Sequence, residues 1–304
     1  MKIVLAGGTG FIGSAVKLRL LRDGHHVVLL TRRPERVRPP AGESIEVEGW
    51  DGRSGGPWQR CVSGADAVIN YTGESVIAGR WSPRRKAELL NSRLQPTRAL
   101  VEAIAQADRK PALMISASAT GYYGDVRGGR VTESHPSGGG FLAYVCRGWE
   151  DEARRVEAYG VRLMISRTGP VIGRDDEFLS RMLPVFRAFL GGVVGSGDQW
   201  IPWIHREDVA GIVAFALDHA DISGPVNVTA PEPVTMRRFA HTLGEVLDRP
   251  VWMRVPSPAV RVAMGEMAEA VLAGQAAVPE KLAAAGYQFR YPTLREALAA
   301  VLKA

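Results

Sequence analysis

The sequence has 304 residues, of which 46% are apolar, 23% charged and 7% aromatic. This composition excludes a disordered chain and is ordinary for a globular one. Its two cysteines, Cys61 and Cys146, are far apart and form no CxxC pair, which excludes a disulfide framework and a cysteine-based zinc site. No run reaches the roughly 20 apolar residues that span a bilayer, and no signal peptide is recognisable. We therefore predict a cytoplasmic protein that does not contact membranes.

The net charge is +6, and arginine dominates it, because 6 lysines leave 32 arginines among the 38 basic residues. Arginine offers a planar fork of donors for phosphates and carboxylates, but it also fills solvated surfaces. The sequence has no run of five basic residues and no aromatic residues interleaved with basic ones. We therefore predict no nucleic-acid partner.

The first half of the chain alternates short apolar runs with helical patterns. Such runs are typical of buried parallel strands, and helices between them imply right-handed crossovers. The predicted strands are Lys2–Leu5, His26–Leu30, Ser44–Val47, Ala67–Asn70, Ala112–Ser116 and Arg162–Ser166. The predicted helices are Phe11–Arg22, Pro83–Gln106 and Cys146–Tyr159. This order predicts an α/β fold with a Rossmann-type, doubly wound parallel sheet, and residues 1–173 form its nucleotide-binding domain.

Beyond Gly173 the alternation loosens, and residues 174–304 are predicted to be a mixed region. Its predicted elements are a helix Glu177–Leu190, a hairpin-like stretch Gly191–Gln199, a helix Glu207–His219 and a strand Pro225–Thr229. Strands near 200–230 complete a sheet of about seven strands. The Ala-rich, proline-punctuated remainder predicts a smaller, mainly helical C-terminal lobe on the substrate side.

A glycine-rich turn joins the first strand to the first helix. Gly7, Gly10 and Gly13 have the spacing GxxGxxG, with Thr9, Phe11 and Ile12 in the same turn. The free N–H groups and positive dipole end of a helix N-terminus bind phosphate there, and the glycines allow close backbone approach and helix packing. The turn therefore predicts a dinucleotide site, with a purely structural turn as the alternative.

The end of the second strand indicates which dinucleotide. An NAD site places Asp or Glu about 20 residues after the glycines, whereas this sequence has Thr31, Arg32 and Arg33. A guanidinium favours a 2′-phosphate, so we predict the cofactor NADP(H), with Arg32 as the main contact and Arg33 as the second. The alternative is two solvated loop arginines.

Two further strand ends predict cofactor contacts. Asp51 follows the third strand, where its carboxylate is placed to accept from the adenine amino group, although an ordinary loop acid is the alternative. Tyr71, Thr72 and Gly73 follow the fourth strand, at the carboxyl edge where ligands lie in such sheets.

Together with these features, eight further segments carry a family resemblance. Four are shared broadly: Ser116–Gly124, Arg167–Gly173, Trp203–Ala210 and Pro225–Val228. Four are more specific: Pro231–Thr235, Leu272–Gln275, Pro279–Leu282 and Tyr291–Leu294. Across essentially its whole length, the chain resembles the extended short-chain dehydrogenase/reductase superfamily. Within it, the chain is similar to an atypical branch whose members are called epimerase family proteins.

The resemblance implies roles for residues along the later strands. Ser116, Arg167, Thr168 and Gly169 would lie beside the cofactor, and Ser118 would orient a substrate carbonyl. Tyr123, Gln199, Trp203 and His205 would line or close the substrate pocket.

The chain departs from the superfamily at its Tyr-x-x-x-Lys pair, which moves the proton and holds the nicotinamide ribose. Aligning Glu150 with the acid that follows the lysine puts Leu142 at the Tyr position and Cys146 at the Lys position. Tyr144 is two residues off, which turns its side chain by about 200° on a helix. Tyr122 is the alternative proton donor, or it packs in the pocket wall.

Other candidates remain open or are set aside. Basic residues between Arg80 and Arg93 predict either a wall for an anionic substrate or a solvated helix face. His205 and Asp208 lack a third ligand, so we predict no metal.

We therefore predict an NADP(H)-dependent oxidoreductase or epimerase-like enzyme for a small molecule, as a monomer or homodimer. A non-catalytic NADP(H) sensor is the alternative, and ordinary sugar-nucleotide epimerisation ranks third because it depends most on the missing proton shuttle.

Overall fold

The structure, a computed structural model, describes residues 1–38 and 42–302; residues 303 and 304 of the predicted C-terminal lobe lie outside this range. A seven-stranded, all-parallel sheet forms its centre. Its strands are β1 (Lys2–Ala6), β2 (His26–Thr31), β3 (Ile45–Gly49), β4 (Ala67–Asn70), β5 (Leu113–Ala119), β7 (Arg162–Thr168) and β12 (Gly224–Val228). Their spatial order is β12-β7-β5-β4-β1-β2-β3. The doubly wound sheet predicted from the alternating pattern is confirmed.

Short two-stranded pairs surround this sheet. Their strands are β6 (Arg130–Val131), β8 (Val171–Ile172), β9 (Gly191–Val194), β10 (Trp200–Ile201), β11 (Ile204–His205), β13 (Val234–Thr235), β14 (Val251–Val255) and β15 (Ala276–Ala277).

The helices cover both faces of the sheet and form most of the C-terminal lobe. They are α1 (Phe11–Arg22), α2 (Pro83–Gln106), α3 (Phe141–Arg154), α4 (Glu177–Arg187), α5 (Arg206–Asp218), α6 (Met236–Leu247), α7 (Ser257–Met264), α8 (Glu269–Leu272), α9 (Glu280–Ala284) and α10 (Leu294–Leu302).

Successive residues of the central strands bury into two separate cores. Val4 and Met114 face the core beneath α2 and α3, whereas Ile3 and Ile115 face the core beneath α1 and α5. Since side chains alternate across a strand, burial on both faces requires a continuous apolar run. This is why these strands were recognisable in the sequence.

A third core lies in the C-terminal lobe. It contains Phe186, Trp203, Phe239 and Leu298, which come from segments far apart in the chain. The predicted smaller, mainly helical lobe is therefore confirmed, whereas the domain boundary at residue 173 stays a prediction.

The predicted hairpin over Gly191–Gln199 is wrong. Its first part, β9, pairs in parallel with β14 instead of folding back on its own chain. Gly192 allows this contact, because a Cβ there would lie 2.7 Å from the Met253 side chain and carbonyl oxygen. The strand partner thus comes from beyond α6, out of reach of a local pattern.

Two predicted boundaries shift in ways that matter for the site. The fifth strand, predicted to end at Ser116, continues through Ser118 because Ala117–Ala119 pair with Ser166–Thr168. Helix α3 begins at Phe141 rather than Cys146, since Phe141 and Leu142 pack against the apolar cluster of Trp81, Leu89 and Met267.

A buried hydrogen-bond junction fastens α2 and α3 to the sheet. The Thr97 hydroxyl accepts from Asn70 Nδ2 at 2.9 Å and from Trp149 Nε1 at 3.0 Å. It donates to the Arg93 carbonyl at 2.7 Å. Thr97 has no exposed surface, so water cannot replace it as a partner.

We expect Thr97→Val to destabilise the protein by about 2–6 kcal/mol, because two buried donors lose their acceptor at about 1–3 kcal/mol each. Urea unfolding followed by circular dichroism measures this loss. Thr97→Ser keeps the hydroxyl and is the matched control. A loss for Thr97→Val no larger than that for Thr97→Ser would contradict the role of the junction.

Candidate functional site

A cavity of about 730 Å³ opens at the carboxyl ends of β1, β2 and β4. It brings together ten of the predicted cofactor residues: Gly7, Thr9, Gly10, Thr31, Arg32, Arg33, Asp51, Tyr71, Thr72 and Gly73. These residues come from four separate turns of the chain. The cavity lies where ligands bind in doubly wound sheets.

Close packing of the backbone requires glycine at two positions of the turn that leads into α1. Gly7 has a φ of +80°, and a Cβ there would lie 2.5 Å from the Tyr71 carbonyl group. A Cβ on Gly13 would collide with the carbonyl oxygen of Gly7. Gly10 precedes α1, and no side chain caps this helix, so its first N–H groups are available to an anion.

Four arginines surround one end of the cavity. Arg32 and Arg33 lie there as predicted, and Arg36 and Arg53 join them. In the described parts of the chain, none of the four has a carboxylate within 4.0 Å. Arg36 and Arg53 were not predicted as site residues from the sequence. Their proximity in sequence to Arg33 and Asp51 was the available signal.

Asp51 shapes the turn that carries Arg53. Its Oδ1 accepts the backbone N–H groups of Ser54 and Arg53 at 2.8 and 2.9 Å, and these bonds lower its pKa. The Asp51 carboxylate is therefore ionised at neutral pH, and Asp51 lines the cavity. Contact with an adenine amino group stays a prediction.

A buried ion pair lies at the other half of the carboxyl edge. Arg167 Nε and Nη2 each donate to one Glu150 carboxylate oxygen at 2.8 Å. Ser118, the register partner of Arg167, donates its hydroxyl hydrogen to Glu150 Oε1 at 2.7 Å. Burial lowers the pKa of Arg167, but the bonds to Glu150 outweigh it and raise the pKa above its ordinary value.

This geometry changes the expectations for Arg167 and Ser118. Arg167 is 2% exposed and pairs with Glu150. Its side chain therefore supports the site from the protein interior and is not open to a cofactor. Ser118 gives its hydrogen to an ionised carboxylate and presents only lone pairs elsewhere. Glu150 is therefore the shared partner of Ser118 and Arg167, a role that was not predicted from the sequence.

The two tyrosines after β5 differ in what their hydroxyls do. Tyr123 donates to Asn227 Oδ1 at 2.6 Å and accepts from Arg167 at 3.0 Å; burial raises its pKa to about 12. Tyr122 lies with its ring 3.5 Å from the Arg167 guanidinium carbon. Its hydroxyl has no hydrogen-bond partner within residues 1–38 and 42–302. Tyr123, predicted to contact substrate, is therefore occupied, while Tyr122 is available.

Leu142 and Cys146 face the end of β5. A Cβ on Gly121 would lie 3.3 Å from Leu142 Cβ and 3.9 Å from Cys146 Sγ. Burial raises the pKa of the Cys146 thiol to about 11, so it carries no charge at neutral pH. Tyr144 is 54% exposed and points away, as its helical position requires. The two positions that the resemblance aligns with the superfamily's tyrosine and lysine thus carry an apolar side chain and a neutral thiol.

The remaining predicted cofactor residues lie around the same edge. Ser116 is buried, and its Oγ has no partner in the described chain. The Thr168 hydroxyl bonds Ser166 Oγ at 2.9 Å, and a Cβ on Gly169 would collide with the Pro202 carbonyl.

Two further predicted cofactor residues lie at the start of α1. The Phe11 ring packs beside Gly173, and Ile12 packs on the α1 and α5 core. Their contact with a cofactor stays a prediction.

Gln199, Trp203 and His205 each have a hydrogen-bond partner within the protein. The Gln199 amide donates to the Val194 carbonyl at 2.9 Å. The Trp203 indole is fully buried and donates to the Glu232 carbonyl at 3.1 Å. His205 caps α5 by accepting from Glu207 N at 3.2 Å, and burial lowers its pKa to about 4. Their contact with a substrate stays a prediction.

Metal ligation finds little support. Asp208 accepts the backbone N–H groups of Arg290 and Tyr291 and is therefore occupied. Among the described residues, Glu46, Glu48 and Cys61 have potential ligand atoms within 4.8 Å of one another. However, Glu48 is paired with Arg60 at 2.8 Å, and burial raises the pKa of Cys61.

Among the described residues, no helix combines the length and apolar character needed to cross a membrane.

We expect Arg167→Met to destabilise the protein by about 3–5 kcal/mol, because it leaves the Glu150 carboxylate buried without its main partner. Arg154→Met is the matched control. Arg154 reaches the same carboxylate at 3.3 Å from a half-exposed position, so its loss should cost about 1 kcal/mol or less. Thermal and urea unfolding measure both. Equal losses would contradict the central role of Arg167.

Comparison with known proteins places this geometry in a family. The profile of the NAD dependent epimerase/dehydratase family matches residues 3–229, and that of a domain of unknown function, DUF1731, matches residues 255–301. Epimerase family protein YfhF of Bacillus subtilis is 37% identical over 303 residues, covering 99% of this chain and 98% of that protein. The chloroplastic SDR39U1 homolog of Arabidopsis thaliana is 38% identical over 311 residues, covering 100% and 87%.

Solved structures agree with this result. Human epimerase family protein SDR39U1, crystallised with NADPH, is 33% identical and superposes with a TM-score of 0.87, covering 100% of this chain and 99% of that one. A nucleoside-diphosphate sugar epimerase from Corynebacterium glutamicum is 31% identical with a TM-score of 0.73, covering 98% and 57%. The resemblance carried by the motifs is thereby confirmed, and the chain belongs to the NAD dependent epimerase/dehydratase family, among its epimerase family proteins.

Proposed function

We propose that this protein binds NADP(H) in preference to NAD(H). The observation that carries this proposal is the group of four arginines at one end of the cavity, none with a carboxylate partner in the described chain. A 2′-phosphate supplies the missing anion, whereas the hydroxyl of NAD does not. The glycine cradle fits the pyrophosphate, and human SDR39U1, similar over its whole length, was crystallised with NADPH.

We expect Arg32→Ala to weaken NADPH binding by about tenfold to a hundredfold, since a charge-assisted hydrogen bond contributes about 1.5–3 kcal/mol. NADH binding should change by less than about twofold, because NADH lacks the phosphate. Fluorescence titration measures both constants. Arg22→Ala, at the opposite end of α1, is the control. Equal losses for NADPH and NADH would rule out phosphate recognition by Arg32.

We further propose that the protein is an oxidoreductase or epimerase-like enzyme for a small molecule. NADPH, when bound, supplies a hydride. Tyr122 is the candidate to supply the balancing proton, since its hydroxyl is without a partner in the described residues and its ring is held against Arg167. Ser118 gives its hydrogen to Glu150, so it orients a hydroxyl or amino group of the substrate rather than the carbonyl oxygen.

A specific observation also supports a second candidate, a non-catalytic NADP(H) sensor. Leu142 and Cys146 face the end of β5 where the superfamily has its tyrosine and lysine. Loss of a general acid reduces rates by about 10²–10⁴-fold, and ordinary sugar-nucleotide epimerisation depends most on that group. A cytoplasmic location and a monomeric or homodimeric state stay predictions.

Turnover separates the two candidates. We expect NADPH absorbance to fall with at least one compound in a panel of hydroxyaldehydes, hydroxyketones and quinones. Tyr122→Phe should then lower kcat by about 10²–10⁴-fold, while NADPH affinity stays within about twofold because the ring remains. Tyr144→Phe, on the exposed side of α3, is the control. Tight NADPH binding without turnover across the panel would favour the sensor.

A further inference from the structure

Helix α2 carries five basic residues, which differ in whether a carboxylate lies nearby. Four of the basic side chains of α2 pair with carboxylates: Arg84 with Glu88, Arg85 with Glu74 and Glu88, Lys86 with Glu266, and Arg98 with Glu152. The fifth, Arg93, has no carboxylate within 4.0 Å in the described chain. It therefore forms no ion pair with the described residues, and only the more distant Glu74 carboxylate acts on its charge.

Arg93 lies beside the candidate site rather than on the open surface. Its guanidinium carbon would be 3.5 Å from a Cβ on Gly73, and Gly73 and Glu74 line the cavity. Nη2 donates to the Glu74 carbonyl at 2.8 Å, and Nη1 donates to the Leu89 carbonyl at 2.9 Å. All its partners are neutral oxygens.

The guanidinium also packs against α3. It lies 5.2 Å from the centre of the Trp149 ring, and Cys146 is one turn earlier on that helix. Cys146 is the residue at the position of the lysine in the superfamily, and its thiol is neutral. The positive charge at this part of the edge therefore comes from α2 instead of α3.

Burial makes this charge costly. Removal from water lowers the pKa of Arg93, yet an arginine in a protein stays protonated. A cation withdrawn from water without a counter-charge is unfavourable, and an anion arriving beside it relieves that cost. The remaining N–H donors of the guanidinium suit the oxygens of a carboxylate or phosphate.

We propose that Arg93 is the anchor for an anionic oxygen group, carboxylate or phosphate, where the cavity wall at Gly73 meets α3. This inference rests on the proposed NADP(H) site and adds a substrate class to it. The anion has two possible sources, a substrate substituent or the phosphates of the dinucleotide. We expect the anion to come from the substrate, because the uncapped N-terminus of α1 already offers N–H donors to the pyrophosphate.

Calorimetry on the NADP⁺-loaded full chain tests the proposal, with oxalate and inorganic phosphate as probes at fixed ionic strength. We expect Arg93→Met to weaken binding of one probe by about tenfold or more, while its NADPH affinity stays within about twofold. Arg98→Met, the same change on the same helix, should alter neither. Arg93→Lys keeps the charge with fewer donors and should bind the probe with intermediate affinity.

The alternatives give distinct results. A loss of about tenfold in NADPH affinity for Arg93→Met alone would keep the anchor but assign the anion to the cofactor. Unchanged NADPH and probe binding in both Arg93→Met and Arg93→Lys would overturn the proposal, as would a wild type that binds neither probe while Arg93→Met leaves NADPH affinity intact. A wild type that binds no NADPH would instead contradict the proposed function. Thermal unfolding confirms that each variant is folded.

Discussion

The rest of the site depends on the buried ion pair between Glu150 and Arg167. It joins α3 to β7 beneath the carboxyl edge of the sheet. A buried pair contributes little unless its remaining donors and acceptors are satisfied, and here Ser118 and Tyr123 satisfy them. The same guanidinium holds the ring of Tyr122 against its face. One interaction therefore positions the side chains with which the proposed chemistry begins.

This pair also explains what holds α3 in place at the carboxyl edge of the sheet. Glu150 and Trp149 anchor α3 through Arg167 and Thr97, on the side that faces the sheet. Leu142 and Cys146 face the end of β5 as apolar surface. The anchoring of α3 therefore does not depend on which residues occupy positions 142 and 146.

The sequence was sufficient where the governing interactions are local or periodic. Strands buried on both faces need continuous apolar runs. At Gly7 and Gly13, a Cβ would collide with the backbone, so the turn requires glycine. It was insufficient where partners meet through the fold. Glu150 and Arg167 are on different elements, and β9 pairs with a strand beyond α6. Trp203 and His205 carried a family motif, but the hydrogen bonds that occupy them appear only in three dimensions.

Charge shows the same separation between composition and structure. A net charge of +6 does not distinguish an arginine that pairs with a neighbouring carboxylate from one that has no ion-pair partner. In the described chain, the arginines beside the cavity and Arg93 have no such partner, whereas the other cations of α2 do. Unbalanced positive charge therefore collects at both halves of one sheet edge. If both proposals hold, two anions can bind there together, because each meets its own cations.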